Sequence, residues 1–262
     1  MNTRGDIPAY YSGLAGFHSL FAQGNPILTY HKLGPRPGKV RLKGLYVSRS
    51  LFARQLEELA TAGYSTGSLE TCAGPRILQR IVVTFDDGYL NVLRHGLEPL
   101  AQTGFKAIQF LVAERLGKYN DWDVPLGEAA EPMMDIPQVR QWLAAGHDIG
   151  SHTLTHPFLT QLPTPQAKEE IVASRKRLED LFARPIEHFC YPYGDWNERV
   201  RDLVMEAGYR TACTTDAGFN TEKNSPFELK RFTARYPSRN LKAIWARLRQ
   251  RVAGLAPAPV RA

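Results

Sequence analysis

One short pattern recurs along the chain and limits its architecture more than any other feature. An apolar stretch with helical spacing closes on glycine followed by an aromatic residue or histidine, and a short apolar run then begins. The instances are Ala62-Gly63-Tyr64, Thr103-Gly104-Phe105, Ala145-Gly146-His147 and Ala207-Gly208-Tyr209. Glycine suits a helix that ends in a left-handed residue, so each instance reads as a helix handing over to a strand. Between these marks, Ser48 or Ser50 caps a helix that carries Phe52, Leu56 and Leu59 on one face and stops at Gly63. Residues 81–84, Ile-Val-Val-Thr, are β-branched and run into a glycine turn, as a strand buried on both faces would. Similar strands are expected at 27–30, 107–112, 148–151, 188–191 and 210–214, with helices at 164–183 and 196–207. Alternating strands and helices imply an α/β fold with a parallel sheet, either a barrel or an open doubly wound sheet. In both, the ligand site lies at the carboxyl ends of the strands.

The 262 residues suit one such domain, and 43% hydrophobic with 23% charged residues is the balance of a soluble globular chain. Cys72, Cys190 and Cys213 are far apart with no Cys-x-x-Cys spacing, which suggests neither a disulfide framework nor a thiolate metal site and fits a reducing compartment. Residues 1–24 lack the uninterrupted apolar core of a secretory signal, and no apolar run is long enough to span a bilayer, so the expected location is the cytoplasm. The net charge of +7 would suit an acidic partner. No recognition-helix pattern or basic stripe with interleaved aromatics supports nucleic-acid binding. The basic residues cluster only near the end, where Lys242, Arg247, Arg249 and Arg251 accompany Leu241, Ile244, Trp245, Leu248 and Val252 at helical spacing. That stretch reads as a last amphipathic helix, packed on the domain or resting peripherally on the inner membrane surface. The organisation expected is an N-terminal extension at 1–24, a main domain at 25–238 and a basic helix and tail at 239–262.

Three strand ends carry residues with chemistry. The strand at 81–84 runs into Phe85-Asp86-Asp87-Gly88-Tyr89, and two adjacent ionised carboxylates need a cation or donors nearby. Dividing them between metal ligand and general base is one solution; a plain turn is the other. A second end carries His152-Thr153-Leu154-Thr155-His156, whose two histidines would face one way on a single helical turn. Asp87 with His152 and His156 would supply one carboxylate and two imidazoles and leave a position for water, as a catalytic zinc site does. A third stretch, Phe189-Cys190-Tyr191-Pro192-Tyr193-Gly194-Asp195-Trp196-Asn197, is either a packed turn or an aromatic wall for a sugar ring with a backbone N–H near Tyr193 for an oxyanion.

In that order, Thr84-Phe85-Asp86-Asp87-Gly88, His152-Thr153-Leu154-Thr155-His156 and Tyr191-Pro192-Tyr193-Gly194 resemble the first three motifs of the polysaccharide deacetylases, the NodB-type carbohydrate esterase family 4. The resemblance spans roughly residues 25 to 235, and Ala145-Gly146-His147-Asp148-Ile149-Gly150-Ser151-His152 is particularly similar. It implies a distorted seven-stranded (β/α) barrel in which Asp86 is the general base and Asp87, His152 and His156 hold the metal. It also places the Tyr193 backbone in the oxyanion hole. The metal implied is divalent, zinc first, with cobalt or nickel as alternatives.

The chain departs from the family pattern twice. The usual catalytic acid comes from a late Leu-x-His motif, yet no histidine follows His188. Ile27-Leu28-Thr29-Tyr30-His31 instead resembles the amino-terminal Tyr-His motif of a permuted branch that includes poly-N-acetylglucosamine deacetylases, which would give His31 the acid role. Many members also carry an arginine in the third motif that holds the catalytic aspartate. Here Cys190 or Tyr191 lies near that place, and Arg231 in Leu229-Lys230-Arg231-Phe232 is the candidate substitute. The activity implied is removal of acetyl groups from N-acetylated amino sugars in a polysaccharide, oligosaccharide or glycolipid precursor, with Tyr193, Trp196 and Trp122 as stacking surfaces. No protein partner is expected. The competing readings are hydrolysis of a non-sugar C–N bond and a catalytically silent glycan-binding module.

Overall fold

The computed structural model describes residues 10–236; the expected C-terminal helix at 239–262 lies outside the described residues. The strands are β1 (Tyr10–Tyr11), β2 (Ile27–Tyr30), β3 (Lys32–Leu33), β4 (Tyr46–Val47), β5 (Ser65–Thr66), β6 (Arg80–Phe85), β7 (Ala107–Leu111), β8 (Asp148–Ser151), β9 (His188–Cys190), β10 (Thr211–Cys213) and β11 (Phe232–Ala234). The helices are α1 (His18–Phe21), α2 (Arg49–Thr61), α3 (Leu90–Thr103), α4 (Ile136–Ala144), α5 (Thr164–Phe182) and α6 (Glu198–Glu206). The glycines of the recurring pattern all adopt the left-handed conformation, with φ of 81° at Gly63, 74° at Gly104, 82° at Gly146 and 84° at Gly208. Strand and helix therefore alternate as the pattern requires. Helix α6 begins later than expected because the Asn197 side chain accepts the Val200 N–H and caps it.

The main sheet runs β1-β11-β2-β6-β7-β8-β9-β10 with every pairing parallel, and β5 pairs with the first residues of β6. The strands from β11 to β10 are the seven of the expected barrel, with β1 added at the edge. β10 does not pair with β11 itself; one parallel bridge, Cys213 to Leu229, joins it to the segment leading into β11, so the barrel is distorted in the way the resemblance implies. The early strand β2 stands beside β6 and in front of the late strand β11.

Period-two alternation divides the core into two layers. Leu28, Val83, Phe85, Leu111, Ile149 and Phe189 pack in one cluster with helix residues such as Phe52, Val92, Trp142, Ile171 and Val200. Ile27, Val82, Ile108, Phe110, Cys190, Cys213 and Leu229 form a second cluster with no helical member, which is the barrel interior. The stretch at 1–24, set apart by the sequence reading, joins the same sheet from Tyr10 onward. It contributes Tyr11, Phe17 and Phe21 to an aromatic group around Phe232, with ring centroids 5.1 to 5.7 Å apart. Among the described residues no helix is long and apolar enough to cross a membrane.

Candidate active site

Strand register brings the chemical groups together. Tyr30 pairs with Phe85, so the next residues, His31 and Asp86, leave their strands side by side at the barrel mouth. Asp86 is in phase with Val82 and Thr84 and turns its carboxylate into the barrel. Strict alternation would send Asp87 outward. Asp87 instead has φ of 75°, and this left-handed residue folds the second carboxylate back to the same mouth. Thr153 (φ 67°), His156 (φ 69°) and Tyr193 (φ 59°) share that conformation. Such residues each cost about 1–3 kcal/mol and persist where the surroundings over-determine them, so their concentration here is itself a mark of a functional site.

His152 and His156 do not lie on a helical turn. They occupy an irregular loop after β8, and the left-handed Thr153 and His156, rather than helical periodicity, make the imidazoles converge. Glu170 on α5 holds this loop: its Oε2 accepts the N–H groups of Leu154 and Thr155, both at 2.9 Å, and its Oε1 accepts the Thr155 hydroxyl at 2.6 Å. Both Nε2 atoms lie 3.3 Å from the same Asp87 Oδ1. His152 Nδ1 stands 2.7 Å from the Cys190 carbonyl oxygen and donates to it, which orients the ring so that Nε2 faces Asp87. His156 stacks on Trp122 at 4.4 Å and meets the Tyr193 ring edge-on at 4.4 Å. One carboxylate and two imidazoles with ligand atoms within 4.8 Å of one another form a donor set that fits a divalent metal, zinc among the candidates.

Asp86 is 2% exposed and receives a two-pronged contact from Arg231, Nη1 to Oδ1 at 2.7 Å and Nη2 to Oδ2 at 2.8 Å. Arg231 enters low in the barrel, just before β11, and its side chain rises through the interior. On the way its Nε donates to the Thr214 carbonyl at 2.8 Å and Nη1 to Thr84 Oγ1 at 3.1 Å. Burial pushes the Asp86 carboxyl up, but the charge and hydrogen bonds of Arg231 outweigh it and hold the group below the usual carboxylate range. His31 Nε2, from the neighbouring strand end, lies 3.7 Å from Asp86 Oδ2. Burial lowers the His31 pKa, against the upward pull of Asp86 and Asp87.

These groups floor a cleft of about 450 Å³ whose walls include Tyr10, Leu42, Leu45, Trp122, Tyr191 and Tyr193. Trp196, expected to stack on substrate, is not among the described residues lining it. It stacks on Tyr191 at 6.1 Å and packs against the main core, where apolar burial holds the indole. The sequence reading did not single out Asp123 or Glu170. Asp123 is 5% exposed in the cleft, and its carboxyl is pushed up to about 6 by burial and by Asp87. The run Asn120-Asp121-Trp122-Asp123, acids flanking an aromatic, was the signal available for it.

A parallel (β/α) barrel with an aspartate pair and two histidines at the carboxyl ends of its strands, and a buried arginine reaching up to them from below, has the layout of a hydrolase active site. The sequence profile of the polysaccharide deacetylase family matches residues 74–212, and the chain belongs to that family, the NodB-type carbohydrate esterases of family 4. YxkH of Bacillus subtilis is 24% identical over 212 residues, covering 79% of this chain and 70% of that protein. The peptidoglycan-N-acetylglucosamine deacetylase PgdA of Listeria monocytogenes is 25% identical over 171 residues, covering 65% of this chain but only 32% of that protein. Two solved structures share the fold. The deacetylase PplD of Streptococcus pyogenes has a TM-score of 0.69 at 20% identity, covering 85% of this chain and 96% of that one. IcaB from Ammonifex degensii has a TM-score of 0.71 at 23% identity, covering 85% and 97%.

Proposed function

We propose that this hydrolase is a metal-dependent N-deacetylase that removes acetyl groups from N-acetylated amino sugars carried in a polysaccharide, oligosaccharide or glycolipid precursor. The observation that carries the reading is that one barrel mouth holds both an arginine-bound carboxylate and an aspartate facing two histidines, with a third histidine across the gap. The Listeria relative is described as acting on peptidoglycan N-acetylglucosamine, and the Streptococcus structure as a deacetylase in complex with acetate, both in line with this reading.

Asp87, His152 and His156 would hold the metal, whose bound chemistry is Lewis-acid polarisation of an acyl oxygen and acidification of a water toward a pKa of about 7. Asp86, kept ionised by Arg231, accepts the proton of the attacking water. The same arginine fixes the plane of the carboxylate, so the base neither rotates nor neutralises. Because its pKa is depressed, Asp86 is a weak base and works on water that is already acidified. The Tyr193 turn presents backbone N–H to the oxyanion of the tetrahedral intermediate, and His31 gives a proton to the departing amine. A histidine whose pKa is lowered by burial surrenders that proton readily. Trp122 and the Tyr193 ring flank the place where the sugar would sit.

The test is acetate release from a panel of N-acetylated sugars and non-sugar amides by chelator-stripped protein, with and without added zinc, beside Asp86→Asn. Zinc-restored release from the sugars, lost in the variant, is the expected result. Release from non-sugar amides alone would replace the substrate assignment. No release from a protein shown to bind zinc would point to a silent binding module.

A further inference from the structure

Next to the catalytic cleft lies a hollow of about 1000 Å³ whose lining includes Arg36, Lys43, Arg54 and Arg235 and no acidic residue. The catalytic cleft, by contrast, carries Asp86, Asp87 and Asp123. Arg235 lines both cavities. The loop between them is shared as well, with Leu42 and Leu45 facing the cleft and Lys43 and Gly44 facing the hollow. Glu128 fixes this loop by accepting the N–H groups of Arg41 at 2.7 Å and Leu42 at 2.6 Å.

Arg235 is held in place without being neutralised. Its guanidinium stacks over the Tyr10 ring at 3.7 Å. On the other side it abuts Gly44, where a Cβ would come within 2.6 Å of Cζ, so glycine is needed for the guanidinium to lie flat there. Its buried Nε has no hydrogen-bond partner. Among the described residues Arg36, Lys43 and Arg235 have no carboxylate partner; Arg54 reaches Glu58 at 3.8 Å. Three uncompensated cations around one hollow repel one another and are worth holding only against an anion. A neutral glycan would be gripped by exposed ring faces instead, and of the two rings in the lining Tyr46 is buried with its hydroxyl on Glu131, which leaves the single exposed face of Tyr236 beside four cations.

We infer that the hollow is an anion subsite that binds a phosphate or diphosphate attached to the amino sugar while the N-acetyl group sits in the neighbouring cleft. The substrate is therefore a phosphate-bearing N-acetylated sugar, nucleotide-linked or lipid-linked, rather than finished neutral polymer. Arg235 is the hinge of the arrangement, contacting the linkage between sugar and anion. This inference rests on the deacetylase reading for its substrate, though anion binding itself does not.

The test has two readouts on the full chain. Titration calorimetry with inorganic pyrophosphate measures the subsite without turnover. The ratio of kcat/KM for phosphate-bearing over neutral N-acetylglucosamine substrates measures its use. The panel is the sugar 1-phosphate, a nucleoside-diphosphate sugar, a short polyprenyl-diphosphate sugar, neutral chitotriose and a uronate-bearing acetylated disaccharide. Pyrophosphate binding that weakens with salt is expected, as is a ratio above unity that falls roughly tenfold for each cation removed in Arg36→Gln and Lys43→Gln. Both residues are exposed, so these variants fold. A preference for the nucleotide or for the lipid arm identifies the source of the phosphate, and either supports the inference. Absence of pyrophosphate binding, an unchanged ratio in the double variant, or a charge-dependent preference for the uronate would overturn it. Pyrophosphate binding lost in Arg36→Gln/Lys43→Gln, with no acetate from any sugar, would retain the anion site and reject the deacetylase assignment.

Discussion

Arg231→Gln is the substitution that interrogates the site most deeply. It removes the contacts of 2.7 and 2.8 Å to a carboxylate that is 2% exposed. Breaking a buried pair from one side costs about 3–5 kcal/mol, since the remaining charge is left without its partner. At about 2–4 °C per kcal/mol for a domain of this size, the Tm should fall by roughly 6–20 °C. The chemical effect is separate. With the arginine gone, burial dominates and the Asp86 carboxyl moves up. The acid limb of kcat/KM for acetate release should therefore shift to higher pH. The stability profile changes in a matching sense: in the parent a depressed folded-state pKa contributes stability above the unfolded-state value, lost as pH falls through the folded one. The variant should lack that contribution and lose less on acidification. Asp86→Asn/Arg231→Gln removes both charges and should recover part of the lost Tm. A folded Arg231→Gln protein whose acid limb stays at the parental pH would refute the idea that this arginine sets the ionisation of Asp86.

Three further outcomes are expected. His31→Ala should slow amide hydrolysis by about 10²–10⁴-fold but spare an activated acetyl ester, whose leaving group departs without a proton; equal losses on both would remove the acid role. Glu170→Ala frees the loop that carries both imidazoles and should weaken zinc affinity by roughly 10–100-fold in a competition titration, with the barrel's circular dichroism preserved. Chelation should abolish acetate release and, because a metal that binds the folded site alone stabilises it by mass action, should lower the Tm until zinc is returned.

The barrel and its working edge were legible because both depend on local chemistry. Glycine marks helix ends, β-branched runs mark buried strands, and parallel topology places whatever follows a strand at the mouth. Asp86, Asp87, His152, His156 and His31 all follow strands and all arrive there. The approach of the histidines was not legible, because Thr153 and His156 adopt backbone conformations that no side-chain pattern signals. Trp196 was placed in the cleft because it follows the third motif in an aromatic stretch, whereas its ring packs on Tyr191 and the core. Arg231 could be named only as a candidate: its partner is 145 residues distant in sequence, and that contact is made by barrel closure. Glu170 is an ordinary helix glutamate until the loop it holds is seen.

The position of β2 between β6 and β11 has a consequence for how the enzyme comes into being. His31 leaves the ribosome well before Arg231, with 200 residues of chain between them. At about 5–20 residues per second, roughly 10–40 s of synthesis separates them. During that interval β2 has one neighbouring strand rather than two, and Asp86 has no counterion. The arginine-bound state of Asp86 is therefore reached only once β11 docks beside β2.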